Sequence, residues 1–259
     1  MKAILLCAGY ATRLYPLTKN HPKPLLPLAG RPILDYLLDK LKDIRSIDQV
    51  IAVTNERFLS HFQDWAGAKK DPWKIDVVSD GTSSNETRLG AIGDLSFVVK
   101  KFQLRDDLGI FAGDNLFMAN LKGFLNFAES NRPHSSLGIV DVKKRELAPR
   151  YGIVRINSNH QIIEFVEKPA GPPSTLASTG VYWFAKESLN FLDRYIREGH
   201  NADRPGDYIR WLVEVDRVFA HRFEGHWYDI GDLDSYREAE QLVQQQESTP
   251  QKRKERNEK

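Results

Sequence analysis

The stretch "LLCAGYATRLYPLTKNHPKPLLPL", residues 5–28, gathers residue types suited to a phosphate chain. An apolar run ends in Ala8-Gly9-Tyr10-Ala11-Thr12, Arg13 follows, and Lys23 stands between two prolines. A sharp turn of small residues lets an anion approach consecutive backbone N–H groups. Arg13 would add a permanently charged planar fork for phosphate oxygens, and Lys23 a movable point charge. The stretch is not a Walker loop, having no Gly-Lys-Ser or Gly-Lys-Thr, and it lacks the G-x-G-x-x-G of a dinucleotide fingerprint. Far along the chain, "FAGDNLF" puts Asp114 just after an apolar run, and "WYDIGD" puts Asp229 in an expected turn. One or two carboxylates, completed by phosphates and water, suit magnesium. Taken singly, each aspartate could equally close an Asx turn or cap a helix.

The order and spacing of these residues are more specific. Gly9-Tyr10-Ala11-Thr12-Arg13-Leu14-Tyr15-Pro16, followed by Pro22-Lys23-Pro24, resembles the G-x-G-T-R-L-x-P and P-K-P signature of the sugar-1-phosphate nucleotidylyltransferases. That family contains glucose-1-phosphate thymidylyltransferase and UTP–glucose-1-phosphate uridylyltransferase. The resemblance runs from about residue 1 to residue 240, and it departs at Ala11, where the family usually has its second glycine. Alanine tolerates positive φ less well, so the loop conformation there is open to test. The resemblance implies that Ala8–Thr12 bind nucleotide, that Arg13 and Lys23 are catalytic, and that Asp114 and Asp229 hold Mg2+. It further implies a sugar-phosphate half built from Tyr151-Gly152, Glu167-Lys168 (in "FVEKP") and Thr179-Gly180, with Lys168 on the sugar phosphate. From the base loop "SDGTSSNETRLGAIGDL" only Gly90 carries over, while Asn85 is a candidate on the strength of its amide. Asp207, in "RPGDYIRWL", reads as the cap of a helix.

The implied reaction joins a nucleoside triphosphate, dTTP or UTP first, to a hexose 1-phosphate and releases pyrophosphate. No base is required, because a phosphate monoester with its second pKa near 6 is already mostly dianionic at neutral pH. The seven histidines agree: none has metal or triad spacing, and His21, His221 and His226 read as structural or surface residues. Alternatives are a cytidylyl- or guanylyltransferase acting on another phosphate, and a non-catalytic relative that binds sugar nucleotides. A dinucleotide-binding oxidoreductase is weakened by the missing fingerprint.

The elements that must position these residues alternate. "KAILLCA", "QVIAVTN", "WKIDVVSD", "LGIFAGDN" and "SSLGIVDV" read as strands, with helical periodicity in "PILDYLLDKLKDI", "ERFLSHFQDWA", "RLGAIGDLSFVVKKF" and "LKGFLNFAES" between them. This is the pattern of an α/β domain, a doubly wound and mostly parallel sheet. The second half predicts an antiparallel hairpin over "YGIVRINSNHQIIEFVEKP", a strand in "STGVYWFA", a helix closed by Gly199, and "RVFAHRFEGHWYDIG" carrying one last strand into a turn. A single nucleotidyltransferase domain over 1–240 is expected, its first half for nucleotide and its second for sugar phosphate. The polar tail 241–259 is expected to be disordered.

Bulk properties agree with a soluble enzyme. Hydrophobic residues make 41% and charged residues 28%, and no apolar run reaches the roughly 18 residues of a membrane span. The lone cysteine, Cys7, excludes an internal disulfide and suits a reducing cytoplasm. The last eight residues carry five basic and two acidic side chains; removing them from the chain's 37 basic and 35 acidic leaves 32 against 33. The body is therefore not a nucleic-acid surface by charge. A homo-oligomer is compatible with the resemblance, though no seam shows in the sequence.

Overall fold

A computed structural model of the chain describes residues 1–257, with side chains through residue 245. The chain opens with β1 (Lys2–Leu6), a short ribbon of β2 (Pro27–Leu28) and β3 (Arg31–Pro32), and α1 (Ile33–Lys42). Then come β4 (Gln49–Thr54), α2 (Leu59–Gly67), β5 (Ile75–Ser79), α3 (Ala91–Lys101), β6 (Leu108–Ala112), β7 (Asn115–Phe117) and α4 (Leu121–Ser130). The second half holds β8 (Ser135–Asp141), β9 (Gly152–Ile156), β10 (Ile162–Glu167), β11 (Leu176–Phe184), α5 (Leu189–Arg197), α6 (Pro205–Val215), β12 (Val218–Arg222), β13 (Trp227–Asp229) and α7 (Leu233–Asn257).

Ala3, Ile4 and Leu5 of β1 are fully buried, as an all-apolar strand must be when both sheet faces are covered. The main sheet runs β10-β9-β11-β6-β1-β4-β5, with β8 on β11 and β12 on β8. β5, β4, β1 and β6 are mutually parallel, and β11 reverses direction against β6. The mostly parallel sheet with an antiparallel extension is thus present as expected. Because β1 connects to β4 on one side while β6 lies on its other side, the strand order reverses between β1 and β6. Open α/β sheets bind ligands in the crevice at the carboxyl ends of such a pair. Leu6 and Ala112, the last residues of the two strands, stand level in the register.

Two cores cover the sheet. One gathers Leu34, Leu37 and Leu41 of α1, Phe62 of α2 and Phe124 of α4; the other gathers Ile92, Leu95 and Val98 of α3, Leu192 of α5 and Tyr208 and Leu212 of α6. A third, smaller cluster packs Ala239 and Val243 of α7 on Leu28, Leu116 and Ile230. It backs a ribbon the sequence did not foretell: β13 pairs with β7, matching Trp227 to Phe117 and Asp229 to Asn115. "RVFAHRFEGHWYDIG" therefore holds two strands in two sheets, and Asp229 ends a strand rather than lying in a turn. Asp207 does not cap α6 either. Arg204 precedes that helix, no side chain caps it, and Asp207 takes a hydrogen bond from the Asn201 amide at 2.9 Å. Helix α7 runs on to Asn257, through most of the segment 241–259 that was expected to be a disordered tail; residues 258–259 lie outside those described.

Candidate active site

The turn after β1 and the turn after β6 meet at the strand-order reversal. Ala11 takes φ 47° and ψ 43°, the left-handed conformation a glycine adopts freely. Its carbonyl accepts from the Thr18 hydroxyl at 2.8 Å and the Leu14 N–H at 3.0 Å, which fixes the loop despite the methyl group. Lys23 is buried, and its Nζ donates to Asp114 Oδ2 at 2.7 Å, tying the lysine segment to the end of β6. Asn115 Nδ2 donates to the Thr179 carbonyl at 2.7 Å and joins β7 to β11.

The second wall comes from the antiparallel extension. Lys168 also holds a left-handed backbone, φ 46°, although it precedes Pro169, and its N–H donates to the Tyr151 carbonyl at 3.1 Å. Strain of this kind is retained where the surroundings over-determine it. Burial pushes the Glu167 carboxyl above its ordinary range, with Lys168 pulling it back. Gly206 makes room for Glu167: a Cβ there would come within 3.0 Å of Glu167 Oε2.

These walls enclose two cavities that share Ala112, Asp114, Gly180, Tyr182 and Pro205. The larger, about 390 Å³, is lined by Ala8, Gly9, Tyr10, Ala11, Arg13, Lys23, Asn85 and Gly90. The smaller, about 180 Å³, is lined by Tyr151, Gly152, Glu167, Lys168, Thr179 and Asp229. Of the residues read from the sequence, only Thr12 stands off both. Thr179 contributes main chain alone, since it is fully buried and its hydroxyl donates to the Gly138 carbonyl at 2.9 Å.

Charge converges where the cavities join. Burial and then the neighbouring Asp114 push the Asp229 carboxyl up, while Lys23, Arg13 and Lys168 pull it down. Among the described residues neither the Arg13 guanidinium nor the Lys168 ammonium is in an ion pair, and no hydrogen bond reaches the Asp229 carboxylate. Two neighbouring carboxylates, one of them unpaired, fit a divalent cation that takes its remaining ligands from phosphate and water. They do not form a closed protein cage, since no group of three His, Cys, Asp or Glu residues able to hold a metal occurs among the described residues.

Sequence reasoning placed Asn85 and Gly90 at the larger cavity but missed Arg88, Asp94 and Asp203, which line it with them. Arg88 makes a bidentate pair with Asp203, Nε to Oδ1 at 2.8 Å and Nη2 to Oδ2 at 3.0 Å, and its Nη1 donates to the Asn85 carbonyl at 2.7 Å. Gly90, at φ 79°, lies against the Ala202–Asp203 backbone, whose carbonyls accept the first N–H groups of α3. Those amides are therefore not free for a phosphate. Asp94 of α3 also lines this cavity. The signal was in the sequence: an aspartate on the apolar stripe of a helix.

The chain matches the family model described as nucleotidyl transferase over residues 2–246. It is 34% identical over 234 residues to a protein of Sulfolobus acidocaldarius named as a mannose-1-phosphate guanyltransferase, covering 89% of this chain and 60% of that protein. It is 29% identical over 232 residues to the bifunctional protein GlmU of Methanocaldococcus jannaschii, covering 89% of this chain and 51% of that one. The chain thus spans between half and two thirds of the length of these relatives. Among solved structures it is similar to an apo UDP-glucose pyrophosphorylase, with a TM-score of 0.80 at 20% identity, over 95% of this chain and 98% of the other. That last likeness is one of fold.

Proposed function

Because the chain belongs to the nucleotidyl transferase family, we propose that it transfers a nucleotidyl group to a hexose 1-phosphate, forming a nucleoside diphosphate sugar and pyrophosphate. The observation that carries this is the pair of cavities joined at Asp114 and Gly180. One has a glycine turn with Arg13 and Lys23, and the other has Lys168 and Glu167. A triphosphate and a sugar phosphate would meet at that junction.

An oxygen of the sugar phosphate attacks the α-phosphorus; the new P–O bond forms as the bond to the β-phosphate oxygen breaks, and pyrophosphate leaves. The acceptor is already a dianion, so no side chain has to remove a proton. The protein's work is alignment and the neutralisation of two anions brought together. The β1 turn and Arg13 hold the triphosphate and the departing pyrophosphate, and Lys23 and Lys168 flank the α-phosphate from the two walls. Tyr151, Gly152, Glu167, Thr179 and Gly180 surround the sugar. Asp114 and Asp229 would hold Mg2+, which would supply charge neutralisation at the phosphate oxygens. With one cysteine, Cys7, the chain forms no internal disulfide, which suits a reducing cytoplasm; no described helix is long and apolar enough to cross a membrane.

The first choice of nucleotide is dTTP or UTP, after the two enzymes the sequence resembles, whereas the relatives' names include a guanyltransferase. A pyrophosphate-release assay tests the reading by crossing five nucleoside triphosphates with a panel of sugar 1-phosphates, with and without Mg2+. Asp114→Ala serves as the blank. Release that needs Mg2+, Asp114 and one nucleotide–sugar pair is expected. Silence from a folded, nucleotide-binding protein would leave the non-catalytic sugar-nucleotide binder in its place.

A further inference from the structure

Two stretches far apart in the chain line the nucleotide-side cavity: Asn85 and Arg88, from the loop between β5 and α3, and Asp203 and Pro205, where the chain enters α6. The loop has little of its own to hold it there. Glu86, Thr87, Arg88 and Leu89 are exposed. The Thr87 N–H and hydroxyl donate to the Ser84 carbonyl at 3.2 and 3.1 Å, and Arg88 Nη1 donates to the Asn85 carbonyl at 2.7 Å, so these bonds stay inside the loop. Firm anchors lie only at its ends. Thr82 is hydrogen-bonded to the Tyr10 hydroxyl, and its carbonyl accepts the Glu56 N–H at 2.9 Å; Gly90 packs on the Ala202–Asp203 backbone. Between those ends, among the described residues, the hydrogen-bonded tie to another part of the chain is the fork of Arg88 on Asp203, 115 residues away. Segment 202–203 does not depend on that fork, because its carbonyls accept the Ile92 and Ala91 N–H groups at 2.9 and 3.2 Å. Breaking the pair would therefore free the loop and leave the entry to α6 in place.

We infer that Arg88 and Asp203 are positioning residues for the nucleotide: their pair latches the loop 83–89 against the nucleotide-side cavity, and neither side chain takes a substrate group. All three guanidinium nitrogens of Arg88 are engaged within the protein, and the Asp203 carboxylate balances its charge, so this cation differs in kind from Arg13, which is in no ion pair. The hydrogen bonds from Arg88 hold the Asp203 carboxyl below its ordinary range, which keeps the pair ionised through neutral pH. A loop already held in place loses less freedom when the nucleotide arrives, and that advantage appears as affinity for nucleotide. The inference rests on the nucleotidyl-transfer reading and names what shapes the nucleotide half of that site.

The test is pyrophosphate release, using whichever of ATP, CTP, GTP, UTP and dTTP and whichever hexose 1-phosphate the wild type turns over best. Wild type is compared with Arg88→Ala, Asp203→Ala, Arg88→Lys and the double alanine variant. Each single alanine should raise the KM for nucleotide roughly tenfold, while kcat and the KM for sugar phosphate stay within about twofold. The double variant should be no worse than either single, since both changes open one latch. Arg88→Lys should fall with the alanine variants, because an ammonium cannot span two carboxylate oxygens and the Asn85 carbonyl together. Thermal midpoints should move by no more than about 2 °C, as an exposed pair adds little to global stability. A KM raised by Arg88→Ala but unchanged or lowered by Asp203→Ala would make Arg88 a direct phosphate ligand and overturn the latch. Additive losses in the double variant, or nucleotide KM values unchanged throughout, would overturn it too. So would a fall in kcat with both KM values rising as the thermal midpoint drops, which is general loosening. If the wild type releases no pyrophosphate with any pair, the transfer reading falls alone; calorimetric dissociation constants for the same five triphosphates then decide the latch by the same ratios. If none of the five binds, both fall.

Discussion

Ala11 adopts a backbone conformation that costs a side-chain-bearing residue about 1–2 kcal/mol, whereas glycine pays about 0.5–1 kcal/mol more in chain entropy. Ala11→Gly is therefore expected to gain about 0.5 kcal/mol with turnover intact, and Ala11→Val to lose stability and raise the KM for nucleotide. Thermal midpoints of the three forms decide it; a loss for glycine would mean that the turn relaxes without its methyl group. Asp94 makes a sharper case because its cost depends on pH. Its carboxyl ionises near 3.8 when unfolded and near 8 in the fold. Between those values the native state keeps a proton that the unfolded chain has lost, so stability falls as pH rises through that window. Asp94→Asn removes the cost, and should exceed the wild type by roughly 1–3 kcal/mol at pH 9 while converging with it towards pH 4. Denaturant melts at pH 5, 7 and 9 would show this, and parallel curves would mean that Asp94 titrates in the ordinary carboxyl range.

At the scale of elements, two glycines separate backbone contacts from side-chain contacts. A Cβ on Gly90 would press within 3.0 Å of Asp203 Cα and N and the Ala202 carbonyl, all main chain, at φ 79°. Gly90→Ala must displace the approach to α6, and is expected to cost roughly 2–4 kcal/mol. The Cβ of Gly206→Ala would meet Glu167 Oε2, the end of a side chain that can swing aside. That variant should lose only about 1 kcal/mol, while the KM for sugar phosphate rises about tenfold as Glu167 leaves the smaller cavity. Calorimetry and steady-state kinetics on both variants test the contrast, and equal thermal losses would contradict it. Neither contact could be read from the chain, because each joins elements far apart in sequence. What was legible was what repeats locally: the apolar runs of β1, β4, β6 and β8, and the periodic faces of α1 to α4. The glycine turn, the lysine between prolines and the two aspartates were legible as a spaced pattern. The β7–β13 ribbon was not, since three-residue strands carry too little periodicity and pair only through the tertiary fold. Asp94 escaped for the opposite reason: its position fits a helix stripe so well that only its tertiary neighbour, the Asp80 carboxyl, sets it apart.

For the molecule as a whole, the charged groups of the site come from parts of the chain far apart in sequence. Arg13 and Lys23 come from the parallel half, Lys168 from the antiparallel extension, and Asp229 from a ribbon braced by α7 through Ala239 and Val243. Binding a divalent cation would join these parts, so a metal that occupies Asp114 and Asp229 must stabilise the whole fold in proportion to its occupancy. The wild-type thermal midpoint should rise with added Mg2+, by about 1.4 kcal/mol at tenfold over the dissociation constant, or roughly 3–5 °C for a chain of this size. Asp229→Asn should differ in stability, in its response to metal and in turnover. Without metal it should be more stable than the wild type by about 1 kcal/mol, because burial and Asp114 both oppose the Asp229 charge. It should respond little to Mg2+ and lose roughly a hundredfold or more in turnover. Calorimetric scans of both proteins over a Mg2+ series, followed by single-turnover assays, resolve the matter. An Asp229→Asn protein that is less stable yet shifts with Mg2+ as the wild type does would make Asp229 a structural carboxylate. The cation would then have to be held by Asp114 and the substrate phosphates, with Lys23 displaced from its 2.7 Å contact.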